Sequence, residues 1–283
     1  MNRKLIPLLI VVLIITVACS CGLSVPRPPT PGPEVTDRIE VTAPSSGETR
    51  LTLAFGAGEI RLAPGAQDAL VKGTATYNFS ELKPVIQTDG NSVRIQTGEG
   101  SFKTFPSLNN LTNRWDLQLG NSPIDLTIEA GAYDSTCELG GLTLTNLTVK
   151  DGAATVEISF STPNKTSMSL LRYETGASTV KLIGLANANF NAMTFKSGAG
   201  DYTLDFSGQL QRDATVSLES GLSNLILVIP EGVHAVVTVE SGASNVNAGP
   251  GWNQSSNVYT QEGNGPTLTI LVKTGAANLT LTH

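Results

Sequence analysis

A glycine recurs at near-regular intervals through the second half of this chain, and six of its seven occurrences are followed by alanine. The seven positions are Gly131, Gly152, Gly176, Gly198, Gly221, Gly242 and Gly275, and the successive intervals are 21, 24, 22, 23, 21 and 33 residues. Self-similarity at a nearly constant spacing of this length is the signature of a repeat architecture. The pattern therefore predicts a stack of similar units of about 22 residues, with an insertion in the last interval.

Apolar residues flank these glycines at fixed offsets, five and three residues before each and four and six residues after it. In the unit around Gly152 they are Leu147, Val149, Val156 and Ile158. A spacing of two on each side of the glycine indicates two strands, each with one inward face. The apolar positions nearest the glycine on its two sides are seven residues apart, an odd number, so both can face inward only if the chain bends at the glycine. A second bend is predicted at Gly141, Gly184, Gly208 and Gly232. Residues 123–283 are therefore expected to form a β-solenoid, with no substantial helix outside the N-terminal signal.

The position two residues before each glycine is charged in every unit and should point outward. In chain order it reads Glu129, Lys150, Glu174, Lys196, Glu219, Glu240 and Lys273. If units stack in chain order at about 4.8 Å, five of the six neighbouring pairs have opposite charge. Glu219 and Glu240 are the like pair, so Glu240→Lys is expected to be neutral or slightly stabilising. We interpret this row as a structural feature rather than a binding site.

The insertion spans Asn247 to Pro266 and is rich in glycine, proline, asparagine and serine, which predicts a loop. Trp252 and Tyr259 stand out in it as candidate partner contacts, because aromatic rings with a polar tip are favoured at interfaces. The alternative is that Trp252 covers the open end of the solenoid, since terminal units need a cap.

The region before the regular repeat is predicted to be a separate small β-domain, residues 40–122. Gly56-Ala57 fits the repeat rule, but the next Gly-Ala pair follows after only nine residues. The predicted strands are Thr49 to Leu53, Ile60 to Leu62, Ala69 to Asn78, Val93 to Gln96 and Trp115 to Leu119. The whole chain then divides into a signal (1–18), a proline-rich linker (19–39), this N-terminal domain and the solenoid (123–283).

The N-terminus reads as an export signal. Arg3 and Lys4 precede a 15-residue apolar run from Leu5 to Cys19, the length of a signal-peptide core rather than of a membrane span. Residues 16–19 (TVAC) resemble the lipoprotein cleavage box, so Cys19 is the predicted lipid anchor, with Cys21 as the alternative acceptor. An uncleaved membrane helix and plain secretion remain open. The predicted location is the cell envelope, outside the cytoplasm and anchored to the membrane.

Three stretches resemble the bacterial toast-rack family: residues 114–117 (RWDL), 123–132 (PIDLTIEAGA) and 195–202 (FKSGAGDY). The resemblance covers about residues 45 to 283. It implies a small N-terminal β-domain followed by a repeat-built β-domain related to LiaF-type cell-wall-active-antibiotic response proteins and to adhesin-like envelope domains. The resemblance implies an envelope protein, and because the family pattern consists of small and apolar residues, no functional residues can be carried over from it.

The chemistry available to the chain is limited. It has two histidines and three cysteines and carries a net charge of −6, which argues against the usual metal sites and against nucleic-acid binding. No P-loop, nucleophile elbow or zinc signature is present. Cys137 falls on an inward position and is expected to be a buried, inert thiol. No cofactor is predicted.

The predicted function is that of a non-catalytic envelope protein whose solenoid surface serves binding or envelope-stress sensing. An envelope protein or a glycan is the expected partner. One alternative is a carbohydrate-active β-helix enzyme, which would need two carboxylates about 5 to 9.5 Å apart in a cleft. The other is a purely structural spacer.

Overall fold

The computed structural model describes residues 29–44, 47–98 and 110–283. The predicted signal, Cys19 and Cys21 lie outside the described residues. Within the described part of the chain, two short 3-10 turns, Ser80–Leu82 and Leu185–Ala188, are the helical elements. No helix there is long and apolar enough to cross a bilayer.

Sixteen strands of the described residues join in one sheet, which confirms the all-β solenoid. They are β1 (Val35–Thr42), β2 (Thr49–Pro64), β3 (Ala69–Tyr77), β4 (Pro84–Asp89), β5 (Ser92–Thr97), β6 (Asn113–Leu119), β7 (Ile124–Glu138), β8 (Leu144–Lys150), β9 (Ala153–Ser159), β10 (Met168–Ile183), β11 (Phe190–Asp205), β12 (Ala214–Val228), β13 (Gly232–Ala248), β14 (Trp252–Ser255), β15 (Val258–Gln261) and β16 (Gly263–Thr282).

Each coil of the solenoid is a long strand that bends at its repeat glycine, and neighbouring coils pair in parallel with their glycines in step. In β10 the buried residues are Leu171 and Tyr173 before the glycine and Val180 and Leu182 after it. The inward face thus changes phase at Gly176, as the odd step in the apolar pattern predicts. Strands β8 and β9 together make one further coil.

Close backbone approach requires glycine at six of the seven repeat positions, Gly275 being the exception. A Cβ added to Gly176 would lie 2.5 Å from the carbonyl oxygen of Gly152, and one added to Gly198 would lie 2.5 Å from that of Gly176. No side chain fits between coils at this point. The second bend has a different cause, because the glycines there adopt positive φ, for example 72° at Gly184.

The coils do not stack in chain order. Strand β16, the last in the chain, lies between β12 and β13 and pairs in parallel with both. Lys273 of β16 is consequently in register with Glu219 on one side and Glu240 on the other. The expected like pair of Glu219 and Glu240 is therefore wrong, and so is the expectation for Glu240→Lys. Charges alternate without a break from Glu129 to Glu240.

The N-terminal strands continue the same stack. Strand β2 is itself a coil, paired in parallel with β7 along its length, and β5 and β6 cover its two halves on the other side. The antiparallel strands β4, β3 and β1 complete this end. One core cluster extends from Ile39 to Leu281. The domain boundary at residue 122 stays a prediction, but β1 begins at Val35, inside the predicted linker.

The insertion after β13 is an antiparallel hairpin, so the predicted loop is wrong there. Strand β14 pairs with β15, and β15 pairs with Ala235 to Thr238 of β13. The hairpin covers the outer edge of β13 before its glycine, and β15 does not extend to the half that follows the glycine. The burial of β15 alternates as expected for a strand with one inward face, because Tyr259 and Gln261 are buried while Val258 and Thr260 are half-buried.

Candidate binding groove along the glycine column

The stacked glycines form an exposed strip along the solenoid, which we name the glycine column. In spatial order it contains Gly56, Gly131, Gly152, Gly176, Gly198, Gly221, Gly275 and Gly242. On one side lies the charge ladder, the alternating row from Glu129 to Glu240. Lys196 and Glu219 approach to 3.1 Å in it, and Lys273 and Glu240 to 3.4 Å. Because these side chains are about half exposed, the ladder mainly favours correct coil register.

On the other side of the glycine column runs an open groove, which we name the coil groove. It is lined mostly by the three residues that follow each column glycine. One section of about 810 Å³ covers the coils from β2 to β11, and a second of about 820 Å³ covers β11, β12, β16 and β13. The two sections share Gly200. Small residues such as Ala153, Ala177 and Ala199 are exposed along it, so a ligand can approach the backbone closely.

A row of polar side chains lies along the second section, and we name it the amide row. In spatial order it consists of Asp201, Asn224, Asn278 and Asn245, all of them exposed. Nδ2 of Asn224 donates to Oδ1 of Asp201 at 2.7 Å, and Nδ2 of Asn278 donates to Oδ1 of Asn224 at 3.0 Å. Asn245 is in register with Asn278. The hydrogen bonds orient the amides and leave donors and acceptors facing solvent.

Leu222 is an exposed apolar residue in the same section. It follows its column glycine directly, where every other coil has alanine, and it is 66% exposed. Ile226, four residues further along β12, is 39% exposed and lies beyond the groove lining. Exposed aliphatic residues are common singly, but Leu222 interrupts an alanine row beside a polar row. The section thus offers both apolar and hydrogen-bonding contact.

The first section of the groove contains two acidic residues on neighbouring coils, Glu59 and Asp134. Glu59 accepts a hydrogen bond from Nε of Arg114 at 3.1 Å and also forms an ion pair with Arg61. The two carboxylates come from adjacent rungs of one wall, whereas glycoside hydrolysis needs carboxyl groups that flank the scissile bond. Glu59 belongs to an ion-pair cluster with Arg61 and Arg114.

A polar cluster lies beneath the glycine column. The carboxylate of Asp151 accepts hydrogen bonds from Tyr173 at 2.7 Å, from Ser178 at 3.3 Å and from Thr175. Burial, together with the nearby Asp151 carboxylate, raises the pKa of the Tyr133 phenol well above its usual value. Because these hydroxyl groups find partners inside the bend, the cluster satisfies polar atoms where the inward faces meet.

The structure places the predicted contact residues away from the coil groove. Trp252 is half-buried against the core and Tyr259 is 6% exposed, and both lie in the capping hairpin. The ring of His283 contacts the carbonyl oxygens of Pro250 and Ile229, at 2.6 and 3.1 Å, next to that hairpin. This placement favours the cap interpretation of Trp252. Its role as a partner contact stays a prediction.

Cys137 is buried, with 1% of its surface exposed, and burial raises the pKa of its thiol to about 11. Ser135 Oγ lies 3.1 Å from the sulfur. A thiol with this pKa is protonated at neutral pH and is a poor nucleophile. Within the residues the structure describes, no group of His, Cys, Asp and Glu side chains is arranged to hold a metal ion.

The amide row was missed by the sequence analysis, which named none of its four residues as a candidate contact. A signal was present in the repeat, since the third residue after the glycine is polar or acidic in every coil. In the last three coils along the chain that residue is asparagine. Reading this position down the repeat, as was done for the charge ladder, would have found the row.

The fold and the groove define a class of protein, a parallel β-solenoid with a glycine-lined outer surface. The profile of a family described as "N-terminal domain of toast_rack, DUF2154" matches residues 30–183. The chain belongs to the toast-rack family. Among curated proteins, none matches the sequence.

The chain is also similar to solved structures. A candidate cell adhesion protein from Clostridium sporogenes ATCC 15579 aligns at 19% identity with a TM-score of 0.50, over 88% of this chain and 99% of that one. A candidate adhesin from Bacteroides fragilis NCTC 9343 aligns at 11% identity with a TM-score of 0.41, over 88% of this chain and 97% of that one. The similarity to the Clostridium sporogenes protein shows a common fold.

Proposed function

We propose that this protein is a non-catalytic, membrane-anchored protein of the bacterial cell envelope that binds a surface partner through the coil groove. The observation that best supports this proposal is the groove itself, which is open to solvent and crosses the coils from β2 to β13. Its lining offers small, amide and hydroxyl side chains. The cell adhesion role in the name of the Clostridium sporogenes protein supports the same kind of function here. With a signalling protein as partner, the groove would serve envelope-stress sensing.

Binding through the groove is tested on cells that display the full-length chain. Ala199→Arg places a long side chain on an exposed groove position and should abolish attachment to isolated cell envelopes. Thr215→Arg is the matched control, because Thr215 is exposed on β12, before the column glycine of that strand, and lies outside the groove lining. Equal attachment by both variants would contradict a groove-based function. A chain that never attaches to any envelope fraction would instead support the spacer.

Anchoring is proposed to occur through Cys19. Metabolic labelling with a radioactive fatty acid should label the wild-type protein and the Cys21→Ser variant, and fail to label Cys19→Ser. Cys19→Ser should also leave the membrane fraction if lipid is the anchor. Unchanged labelling of Cys19→Ser would overturn this assignment, whereas lost labelling with retained membrane partition would indicate an uncleaved helix.

Trp252 and Tyr259 remain proposed partner contacts, with the cap as the competing role. Trp252→Ala distinguishes the two. A lower thermal midpoint with unchanged envelope attachment supports the cap, as the packing of Trp252 against the core suggests. Unchanged stability with lost attachment supports the contact.

A further inference from the structure

We propose that the second section of the coil groove binds a linear, uncharged polysaccharide laid along the stacking axis, with one sugar at each rung of the amide row. The inference rests on the proposed function and names its ligand class and site. Asp201, Asn224, Asn278 and Asn245 supply the polar contacts, and Leu222 supplies the apolar one.

The first argument is periodicity. The four residues of the amide row come from four adjacent parallel strands, β11, β12, β16 and β13, so they repeat at about 4.8 Å. A β-1,4-linked hexopyranose chain advances by close to one strand spacing per sugar. Alternate sugars in such a chain face opposite ways, so the chain can place a hydroxyl group opposite every rung and equivalent hydroxyl groups opposite every second rung. An extended peptide along this axis would be out of step, since its side chains on one face repeat at nearly twice the residue rise of about 3.3 Å.

The second argument is hydrogen-bonding chemistry. A carboxamide both donates and accepts, as a sugar hydroxyl does, and each amide of the row has two N–H donors. Asn224 and Asn278 each use one N–H for the neighbouring rung. Their hydrogen-bonded chain fixes the orientation of the amides before any ligand arrives, which lowers the entropic cost of binding. The remaining donors and acceptors form a regular line at the groove surface.

The third argument is charge. Among the described residues that line this section, none is lysine or arginine, and Asp201 is the one charged residue. A polyanion such as a teichoic acid or nucleic acid would meet a carboxylate without a counter-charge. Phosphate and sulfate polymers are bound through basic side chains. An uncharged polymer avoids this repulsion and can still accept hydrogen bonds from the amides.

The fourth argument is shape. Apart from Leu222, the groove floor consists of glycine, alanine and serine, so a sugar ring can approach the backbone closely. Leu222 rises from this floor beside Asn224, and its exposed side chain matches the apolar C–H face that pyranose rings carry. Binding sites generally combine apolar surface with a few placed polar groups. Here the apolar contact at Leu222 and the hydrogen-bonding contacts of the amide row lie side by side across the width of the groove.

The test uses full-length protein in detergent and β-1,4-linked N-acetylglucosamine oligomers of two to six sugars, measured by isothermal titration calorimetry. Four rungs predict that affinity rises with each sugar up to about four and then levels off. Leu222→Ala, which restores the alanine of the other coils, and Asn224→Ala should each weaken binding of the hexamer about tenfold. Ile226→Thr is the matched control, because Ile226 is exposed on the same strand outside the groove lining.

Thermal melting by circular dichroism verifies that each variant is folded, and exposed positions should leave the midpoint unchanged. The inference is overturned if oligomers bind without length dependence, if Leu222→Ala and Ile226→Thr behave alike, or if dextran sulfate or an extended peptide binds in their place. Absent oligomer binding with retained attachment to cell envelopes would refute the glycan inference alone. Loss of both would refute the proposed function as well.

Discussion

Substitution of alanine at Gly176 is the sharpest test of why the repeat needs glycine. The added Cβ would lie 2.5 Å from the carbonyl oxygen of Gly152, so the two coils must separate locally. That oxygen accepts hydrogen bonds from the backbone N–H of both Gly176 and Ala177, at 3.1 and 2.9 Å. Losing both costs about 1–3 kcal/mol. Alanine recovers about 0.4–1 kcal/mol by restricting the unfolded chain, which leaves a net loss of about 0–2.6 kcal/mol, with a midpoint of ~1.3 kcal/mol.

The matched control is Gly275→Ala, in the same column. Its Cβ would lie 3.1 Å from the carbonyl oxygen of Gly221, a distance that small adjustments can relieve. Urea unfolding should show a lower free energy for Gly176→Ala and little change for Gly275→Ala, with thermal midpoints about 2–8 °C apart. Equal effects of the two substitutions, or a stabilising Gly176→Ala, would refute the close-approach argument.

Three further expectations follow from the charges, the buried thiol and the C-terminal histidine. Glu240→Lys places a second lysine beside Lys273 and should lower the free energy of unfolding by up to ~1 kcal/mol at low salt. High salt should remove this effect, and Glu240→Gln should show it more weakly. A stabilised Glu240→Lys variant would contradict the observed coil order. Cys137, with a thiol pKa of about 11, should resist a thiol reagent at pH 8 in the native protein and react fully in denaturant, and rapid native labelling would contradict its burial. Hydrogen bonding to backbone carbonyls, first that of Pro250, raises the pKa of His283 above its usual 6.5. Its stabilising contribution is therefore complete below about pH 6.5 and is lost as pH rises through the raised value; proton NMR titration checks the direction, and a value below 6.5 would contradict it.

The inward face of the solenoid was predictable from the repeat alone. Residues such as Leu147, Val149, Val156 and Ile158 are all buried where the apolar pattern places them. Alternation in a strand is a local property, and the phase change at the glycine is visible as an odd step in the sequence. For the same reason the bend was predictable, and so was the burial of Cys137.

Coil order was not predictable from the periodicity, because equivalent coils present equivalent edges and any order satisfies the apolar pattern. A clue did exist in the like-charged neighbours Glu219 and Glu240, a conflict that insertion of Lys273 between them removes. The hairpin of β14 and β15 was hidden by its composition, since glycine, asparagine and serine favour loops locally. Pairing with the open edge of β13 overrides that preference.

The position of β16 sets a condition on how the chain can be completed. A polypeptide leaves the ribosome or an export channel from its N-terminus, so β13 emerges before the strand that separates it from β12. Until β16 is free, β13 therefore has no neighbouring coil to pair with and contacts only the short strand β15 on its outer edge. A chain that stops short of residue 263 lacks the coil of β16, and β13 then also loses the coil that it packs against. The strand Gly263–Thr282 is thus a requirement for two coils together.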